Sequence, residues 1–389
     1  MPAVVPISPF IDQTVEKHDL TETIPQVSPW LDGAERDEVM RVLESGWITE
    51  GPTSEEFASA LNQQIDVPFG VFAPNGTLAL ALGLMALGIG NGDEVIVPDA
   101  TFIGSATAVM MVGAKPVFVD VDAETFQIDM DRAEAVVSSA TRAVMPVHIN
   151  GTASPMAAVL AFAERHGLKV IEDAAQALGV SYRGRHVGGL GDVGCFSFFA
   201  DKTITTGEGG YVVCRDPEIY ERLQYLRNQG RLDRGSFVHP MIGYNFRITA
   251  LQAAMGLAQL RKLDKIVSRK LAINEGYRQA LADVEQVRVL GAASNSTHVP
   301  FRCVLMASRA HELITYLQEH NIQPRTFFYP LHRQPCFLAS QGIDIKVDAD
   351  FPNAIRAYEQ GVCLPVFPGL VRSQFDHIVQ VIRDFYGVC

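Results

Sequence analysis

The chain has 389 residues, 48% of them hydrophobic and 20% charged, a composition that suits a large folded unit plus a smaller one better than a single small core. Lys+Arg total 32 against 44 Asp+Glu, for a formal net charge of −12 with no basic stripe, which argues against nucleic acid as a partner. No stretch approaches the roughly 20 consecutive apolar residues that cross a bilayer.

The N-terminal MPAVVPISPFIDQTVEKHDL lacks the basic start and apolar core of a secretory signal, so the expected location is cytoplasmic and membrane partners are not expected. Cys195, Cys214, Cys303, Cys336, Cys363 and Cys389 form no CxxC and no Cys/His spacing suited to zinc. They read as reduced packing thiols, and no metal site is expected.

Residues 1–25, with Pro2, Pro6 and Pro9, read as an irregular N-terminal arm. Strands are expected at Val95-Ile96-Val97, Pro116 to Val121, Ala143 to Val147, Val170-Ile171-Glu172, Cys195 to Phe199 and Gly210 to Cys214. Helices are expected between them, at Thr77 to Leu87, Phe102 to Val112 and Met156 to His166. Such alternation implies βαβ crossovers, hence an α/β fold whose mainly parallel mixed sheet is covered by helices on both faces. Leu251 to Arg269 is strongly helical, and beyond it strands such as Val299 to Leu305 mix with helices such as Ala310 to His320. The expected division is the arm over 1–25, a large domain over 26–264 and a smaller α+β C-terminal domain over 265–389.

Three segments carry chemistry. Ala73-Pro74-Asn75-Gly76-Thr77 opens the helix that runs from Leu78. A small, Gly-containing turn at a helix N-terminus offers free N–H groups and the positive dipole end to a phosphate; the same turn also fits an ordinary cap by Asn75 or Thr77. In Val170-Ile171-Glu172-Asp173-Ala174-Ala175-Gln176 an apolar strand runs into two carboxylates and a Gln. Ligands of open α/β sheets lie beyond the carboxyl ends of the strands, so Asp173 projects where a cofactor would sit. It would stay ionised there if paired with a cation such as a protonated pyridine nitrogen; helix capping by Asp173 is the other reading. The third segment, Cys195-Phe196-Ser197-Phe198-Phe199-Ala200-Asp201-Lys202, leads from an aromatic strand into the Gly-rich turn Thr203 to Gly210. Desolvation lowers the pKa of a lysine so placed, and the neutral amine can form a Schiff base with an aldehyde. A side chain reaching from a sheet edge to water remains the alternative.

The order of phosphate turn, strand-end Asp and Ser-containing strand with Lys resembles the fold-type I aminotransferases and, within them, the DegT/DnrJ/EryC1/StrS sugar aminotransferase family. The resemblance runs from about residue 25 to the end and is carried by GWITEGP (46–52), NGTLAL (75–80), GDEVIVP (92–98), EDAAQALG (172–179), FSFFADKTITTGEGG (196–210) and GYNFRIT (243–249). It implies pyridoxal 5'-phosphate as cofactor, held by Lys202 through a Schiff base. Asp173 would pair with the pyridine nitrogen, Gln176 with the phenolic oxygen, Gly76, Thr77 and Ser197 with the phosphate, and Phe102 would stack on the ring. It also implies a homodimer or dimer of dimers, in which Asn245 reaches the cofactor phosphate of the neighbouring subunit.

The implied reaction moves an amino group from L-glutamate to a keto-sugar nucleotide in ping-pong order, the freed Lys202 amine serving as general base. FSFF ahead of Lys202, HPMIGYNFR (239–247) and FYPLH (328–332) resemble family members acting on the 4-keto group of a GDP-linked 6-deoxyhexose, for cell-surface polysaccharide or O-antigen; a UDP- or dTDP-linked 3- or 4-keto sugar stays open. Trp47, Ile48, His239, Arg247, Tyr329 and His332 are the candidate substrate contacts, Arg247 because a guanidinium suits a pyrophosphate.

Two departures stand out: Asp201 where the family usually has Asn, and Asn150 in Val147-His148-Ile149-Asn150-Gly151 where an aromatic is frequent. Related sugar dehydratases resemble this pattern with His in place of the lysine, so Lys202 speaks against that reaction. Intact Lys202, Asp173, Gln176 and Ser197 speak against a regulatory relative without turnover. A nicotinamide dehydrogenase lacks support because no GxGxxG follows an early strand.

Overall fold

The computed structural model describes residues 22–232, 235, 237–339 and 347–388; most of the expected N-terminal arm, and Cys389, lie outside the described residues. The strands in chain order are β1 (Phe69–Ala73), β2 (Glu94–Pro98), β3 (Lys115–Val119), β4 (Thr141–Val144), β5 (Lys169–Asp173), the short hairpin β6 (Ser181–Tyr182) and β7 (Arg185–His186), β8 (Val193–Ser197), β9 (Gly210–Cys214), β10 (Val287–Val289), β11 (Cys303–Ala307), β12 (Arg325–Thr326) and β13 (Gly361–Leu364). The large sheet has the order β1-β9-β8-β5-β4-β2-β3. Strands β3, β2, β4, β5 and β8 are parallel, and β9 runs antiparallel between β8 and β1. The α/β architecture with a mostly parallel central sheet is the one expected.

Side-chain alternation explains why these strands are apolar almost without interruption. Val95, Val97, Ile171 and Val193 join the core on one face, whereas Ile96, Val170, Phe196 and Val213 join the core on the other. With both faces covered, no position is left for water. The helix Gly76–Ala86, buried at Ala79 to Leu84 and Ala86, is apolar all round because it lies inside the molecule.

A second sheet, ordered β10-β11-β13-β12 and antiparallel throughout, belongs to the C-terminal part. Its core gathers Ile273, Tyr277, Leu305, Leu313, Phe375 and Ile382. Ile24 is buried in that same core, bridged to Ile322, and the Gln26 amide donates to the Leu364 carbonyl at 3.0 Å, so the chain entering the large sheet is tied first to the small one. The helix Leu263–Ala280 contributes Leu263 and Ile266 to the large unit's core and Ile273 and Tyr277 to the small unit's.

Two expected elements differ. Leu251 to Arg269 is two helices, Ala250–Leu260 and Leu263–Ala280, separated at Arg261 and Lys262. Lys262 is held there by Glu35 at 2.6 Å and Asp32 at 3.0 Å, so tertiary ion pairs fix a turn that helical periodicity does not reveal. The expected strand from Val299 starts only at Cys303, because the N–H groups of Val299 and Phe301 donate to the carbonyls of Gly151 and Asn150. That stretch is spent joining the two units.

Lys270, on the helix shared by both units, is 4% exposed. Burial pulls its pKa down to about 7, with the Arg302 charge adding to the effect. A folded-state pKa below the unfolded one means that stability is lost as pH falls through the folded value. Lys270→Met is therefore expected to raise unfolding free energy by roughly 2–4 kcal/mol at pH 7 and below, and by less as pH rises toward 10. Urea unfolding across that range measures it.

Candidate active site

A cavity of about 1030 Å³ opens beyond the carboxyl ends of β5 and β8 and is closed from the other side by Phe301, Arg302 and the segment Arg325 to Tyr329. The strand-end carboxylates divide their tasks by alternation. Glu172, fully buried, accepts from the N–H groups of Gly188, Leu190 and Gly191 at 2.7–2.8 Å, and its Oε2 lies 3.0 Å from His148 Nε2; it pins the loop behind the sheet. Asp173, on the opposite side, lines the cavity. Its Oδ2 accepts from the Ser105 hydroxyl at 2.7 Å and its Oδ1 from the Ala175 N–H at 3.1 Å.

The helix Gly76–Ala86 points its N-terminus at the same space. Asn75 caps it by accepting from the Leu78 N–H at 2.9 Å, while the first-turn N–H groups of Gly76 and Thr77 have no intrahelical acceptor. Cap and open anion seat thus coexist. The seat needs glycine: a Cβ on Gly76 would lie 2.8 Å from Ser197 Cβ, so only the bare backbone lets the helix approach β8 this closely.

Lys202 sits on the cavity wall with its Nζ 4.3 Å from the centroid of the Phe301 ring and 3.8 Å from Asp201 Oδ1. Burial depresses its pKa, and the positive Arg302 adds to this, while Asp201 and Asp173 partly counter it. An amine so placed gives up its proton more readily than a surface lysine, which favours attack on an aldehyde. Gln176 lines the cavity with its Oε1 already accepting from the Asn150 N–H at 2.8 Å. Asn150 holds that position in a left-handed backbone, φ 56°, a conformation in which Asn is common among residues other than glycine.

Of the residues singled out from sequence, Gly76, Thr77, Phe102, Asp173, Gln176, Ser197, Lys202 and Tyr329 line this one cavity. Asn245 and His239 do not: they line a separate shallow surface hollow with Met241, Ile242 and Tyr244. Trp47 and Ile48 are exposed, and Arg247 donates to Asn228 Oδ1 at 2.8 Å beside that hollow. His332 departs from expectation as a substrate contact. It is 2% exposed, its Nδ1 lies 2.7 Å from Asp99 and its Nε2 3.1 Å from Asp348, and it stacks on Phe351. Burial opposes its charge, but these two carboxylates outweigh burial and raise its pKa, so the ring braces the fold and has no free nitrogen to offer. Ser105, Phe301, Arg302 and Arg325 line the cavity and were not singled out. Sequence offered no signal for the last three, which reach the site from the C-terminal part.

An open helix N-terminus for a phosphate, a desolvated amine and a strand-end carboxylate in one cavity fit pyridoxal phosphate. So do buried polar atoms without a protein partner, Asn150 Nδ2 among them. This is the site of an aminotransferase. Residues 29–383 match the DegT/DnrJ/EryC1/StrS aminotransferase family. The chain is 38% identical to the GDP-perosamine synthase of Escherichia coli O157:H7, over 94% of this chain and 99% of that one. It is 37% identical to the GDP-perosamine synthase of Caulobacter vibrioides, over 92% and 98%. Among solved structures it superposes on S. venezuelae DesV, in complex with a ketimine intermediate, with a TM-score of 0.88 at 32% identity, covering 95% of this chain and all of that one. The chain belongs to the DegT/DnrJ/EryC1/StrS aminotransferase family and is a pyridoxal-phosphate-dependent sugar aminotransferase.

Gly76→Ala is expected to weaken cofactor binding by about tenfold or more, because the added carbon forces the helix N-terminus away from Ser197. Spectroscopic titration of the apoprotein with pyridoxal phosphate measures it; an unchanged affinity contradicts the seat.

Proposed function

We propose that the chain transfers the amino group of L-glutamate to the 4-keto group of a GDP-linked 6-deoxyhexose, with Lys202 bearing the cofactor. The carrying observation is the shared cavity of Lys202, Asp173 and the Gly76 turn. The names of the two curated relatives support the acceptor.

Pyridoxal phosphate, when bound, supplies the electron sink that makes the donor's Cα–H acidic. Asp173, already oriented by Ser105 and Ala175, would hold a ring N–H without reorganising. Gly76, Thr77 and Ser197 would hold the phosphate, Phe102 would cover the ring, and Gln176 would turn its amide nitrogen to the phenolic oxygen. Lys202, freed by the donor, would take the Cα proton and give it back to the carbon on the far side of the donor nitrogen.

The reading extends beyond the cavity. The hollow holding Asn245 adjoins exposed Met241, Ile242 and Tyr244, a surface suited to a homodimer, alone or paired again, in which Asn245 serves the neighbouring subunit's phosphate. Trp47, Ile48, His239, Arg247 and Tyr329 are the proposed acceptor contacts; His332 is not among them. The domain division falls within the helix Leu263–Ala280, near residue 265; the protein acts in the cytoplasm, and its product serves cell-surface polysaccharide or O-antigen.

Given glutamate and a panel of keto-sugar nucleotides, the protein is expected to form 2-oxoglutarate with highest kcat/KM on the GDP-linked 4-keto-6-deoxyhexose. Lys202→Ala is expected to lose at least about a thousandfold in turnover. Undiminished turnover in that variant contradicts the role of Lys202, and preference for a UDP- or dTDP-linked sugar contradicts the acceptor.

A further inference from the structure

Beside Lys202 lies a second charged pair that the reaction as described does not use. The side chain of Asp201 is largely buried, and its two oxygens have different surroundings. Oδ2 accepts from Arg302 Nη2 at 2.6 Å. Oδ1 is buried with no hydrogen-bond donor and stands 3.8 Å from Lys202 Nζ. Arg302, its side chain 7% exposed, reaches in from just before β11, and its Nη1 also lacks a hydrogen-bond partner. Its guanidinium carbon lies 4.5 Å from the centroid of the Phe301 ring, and Lys202 Nζ lies 4.3 Å from the same point.

We propose that Asp201, clamped by Arg302, is a positioning residue for Lys202: its free oxygen fixes where the nitrogen stands and stabilises positive charge on that nitrogen once the cofactor is attached. The inference rests on Lys202 as the cofactor-bearing residue and is independent of the sugar.

The charged groups around that nitrogen come from every neighbouring element. Asp201 lies on its own turn, Asp173 at the end of β5, Arg302 before β11, and Lys270 on the helix Leu263–Ala280. A carboxylate within about 4 Å favours the cationic form of a neighbouring nitrogen, typically by about 1–3 pH units. Asp201 is the nearer of the two carboxylates with an oxygen to spare, because both oxygens of Asp173 already accept hydrogen bonds. Arg302 holds the other oxygen of Asp201 at 2.6 Å and so fixes where the carboxylate stands, while its own positive charge acts on Lys202 in the opposite sense. Removing the charge of Asp201 alone would leave Lys202 facing Arg302 and Lys270 with only Asp173 to offset them.

Asp201→Asn keeps the shape and removes the charge. In the cofactor-loaded protein, the pH midpoint of the absorbance change of the lysine–cofactor linkage is expected to fall by about 1–3 units in this variant. It should rise in Arg302→Gln, where the carboxylate loses its competing cation, and lie between the two in the double variant. Opposite displacements from paired substitutions are not a consequence of general loosening. Midpoints within about 0.3 unit of the parent in both single variants, small against the usual effect of a charge at this range, overturn the proposal. If Asp201→Asn does not fold, the rise or constancy in Arg302→Gln decides alone. Lys202→Ala, measured alongside, separates the underlying reading: a linkage spectrum that persists without Lys202 overturns both, whereas an unmoved midpoint with a Lys202-dependent spectrum overturns only the role of Asp201.

Discussion

A buried amine and a buried carboxylate in one cavity are each costly, and the rest of the structure is arranged around keeping them there in usable form. Left to itself, burial neutralises both groups. Asp173 is held in place by a hydroxyl and a backbone N–H, while the amine of Lys202 is allowed to lose its proton more easily than a surface lysine. The proposed chemistry draws on both groups, a fixed carboxyl to hold a ring N–H and an amine to attack an aldehyde.

The parallel sheet supplies the geometry. Because β5 and β8 are adjacent and parallel, their carboxyl ends, carrying Asp173 and Ser197, emerge at the same edge, and the helix Gly76–Ala86 is brought to that edge by packing flush against β8 and β9. Gly210 at the start of β9 contributes to that fit: a Cβ there would lie 2.3 Å from the Asn75 carbonyl oxygen. The C-terminal unit then closes the cavity with Phe301, Arg302 and the Arg325 to Tyr329 segment. Residues far apart in sequence share one enclosure because the linking stretch from Val299 to Phe301 is hydrogen-bonded to Gly151 and Asn150.

Most of the site that is legible in the sequence is carried by local pattern. The runs ending at Asp173 and Ser197, and the turn at Gly76, are contiguous signals, and each lies where alternation and helix-start chemistry put it. What escaped was non-local. The division of labour between Glu172 and Asp173 depends on what lies behind the sheet, and Ser105 is an ordinary helix serine until Asp173 is placed against it. Arg302 and Lys270 gain meaning only from Asp201, about 101 and 69 positions away in sequence and thus beyond any periodicity. His332 is the opposite case: its segment resembles a family motif, but that both ring nitrogens lie against carboxylates, of Asp99 and Asp348, is visible only in the fold.

Two lysines in this interior have depressed pKa values, Lys202 on the cavity wall and Lys270 behind it, so burial alone does not say which one bonds the aldehyde. Borohydride reduction of the cofactor-loaded protein, followed by mass-spectrometric peptide mapping, locates that bond directly. The reduced cofactor is expected on the peptide containing Lys202, and finding it on Lys270 or any other lysine would contradict the placement of Lys202 opposite Asp173 as the chemical centre.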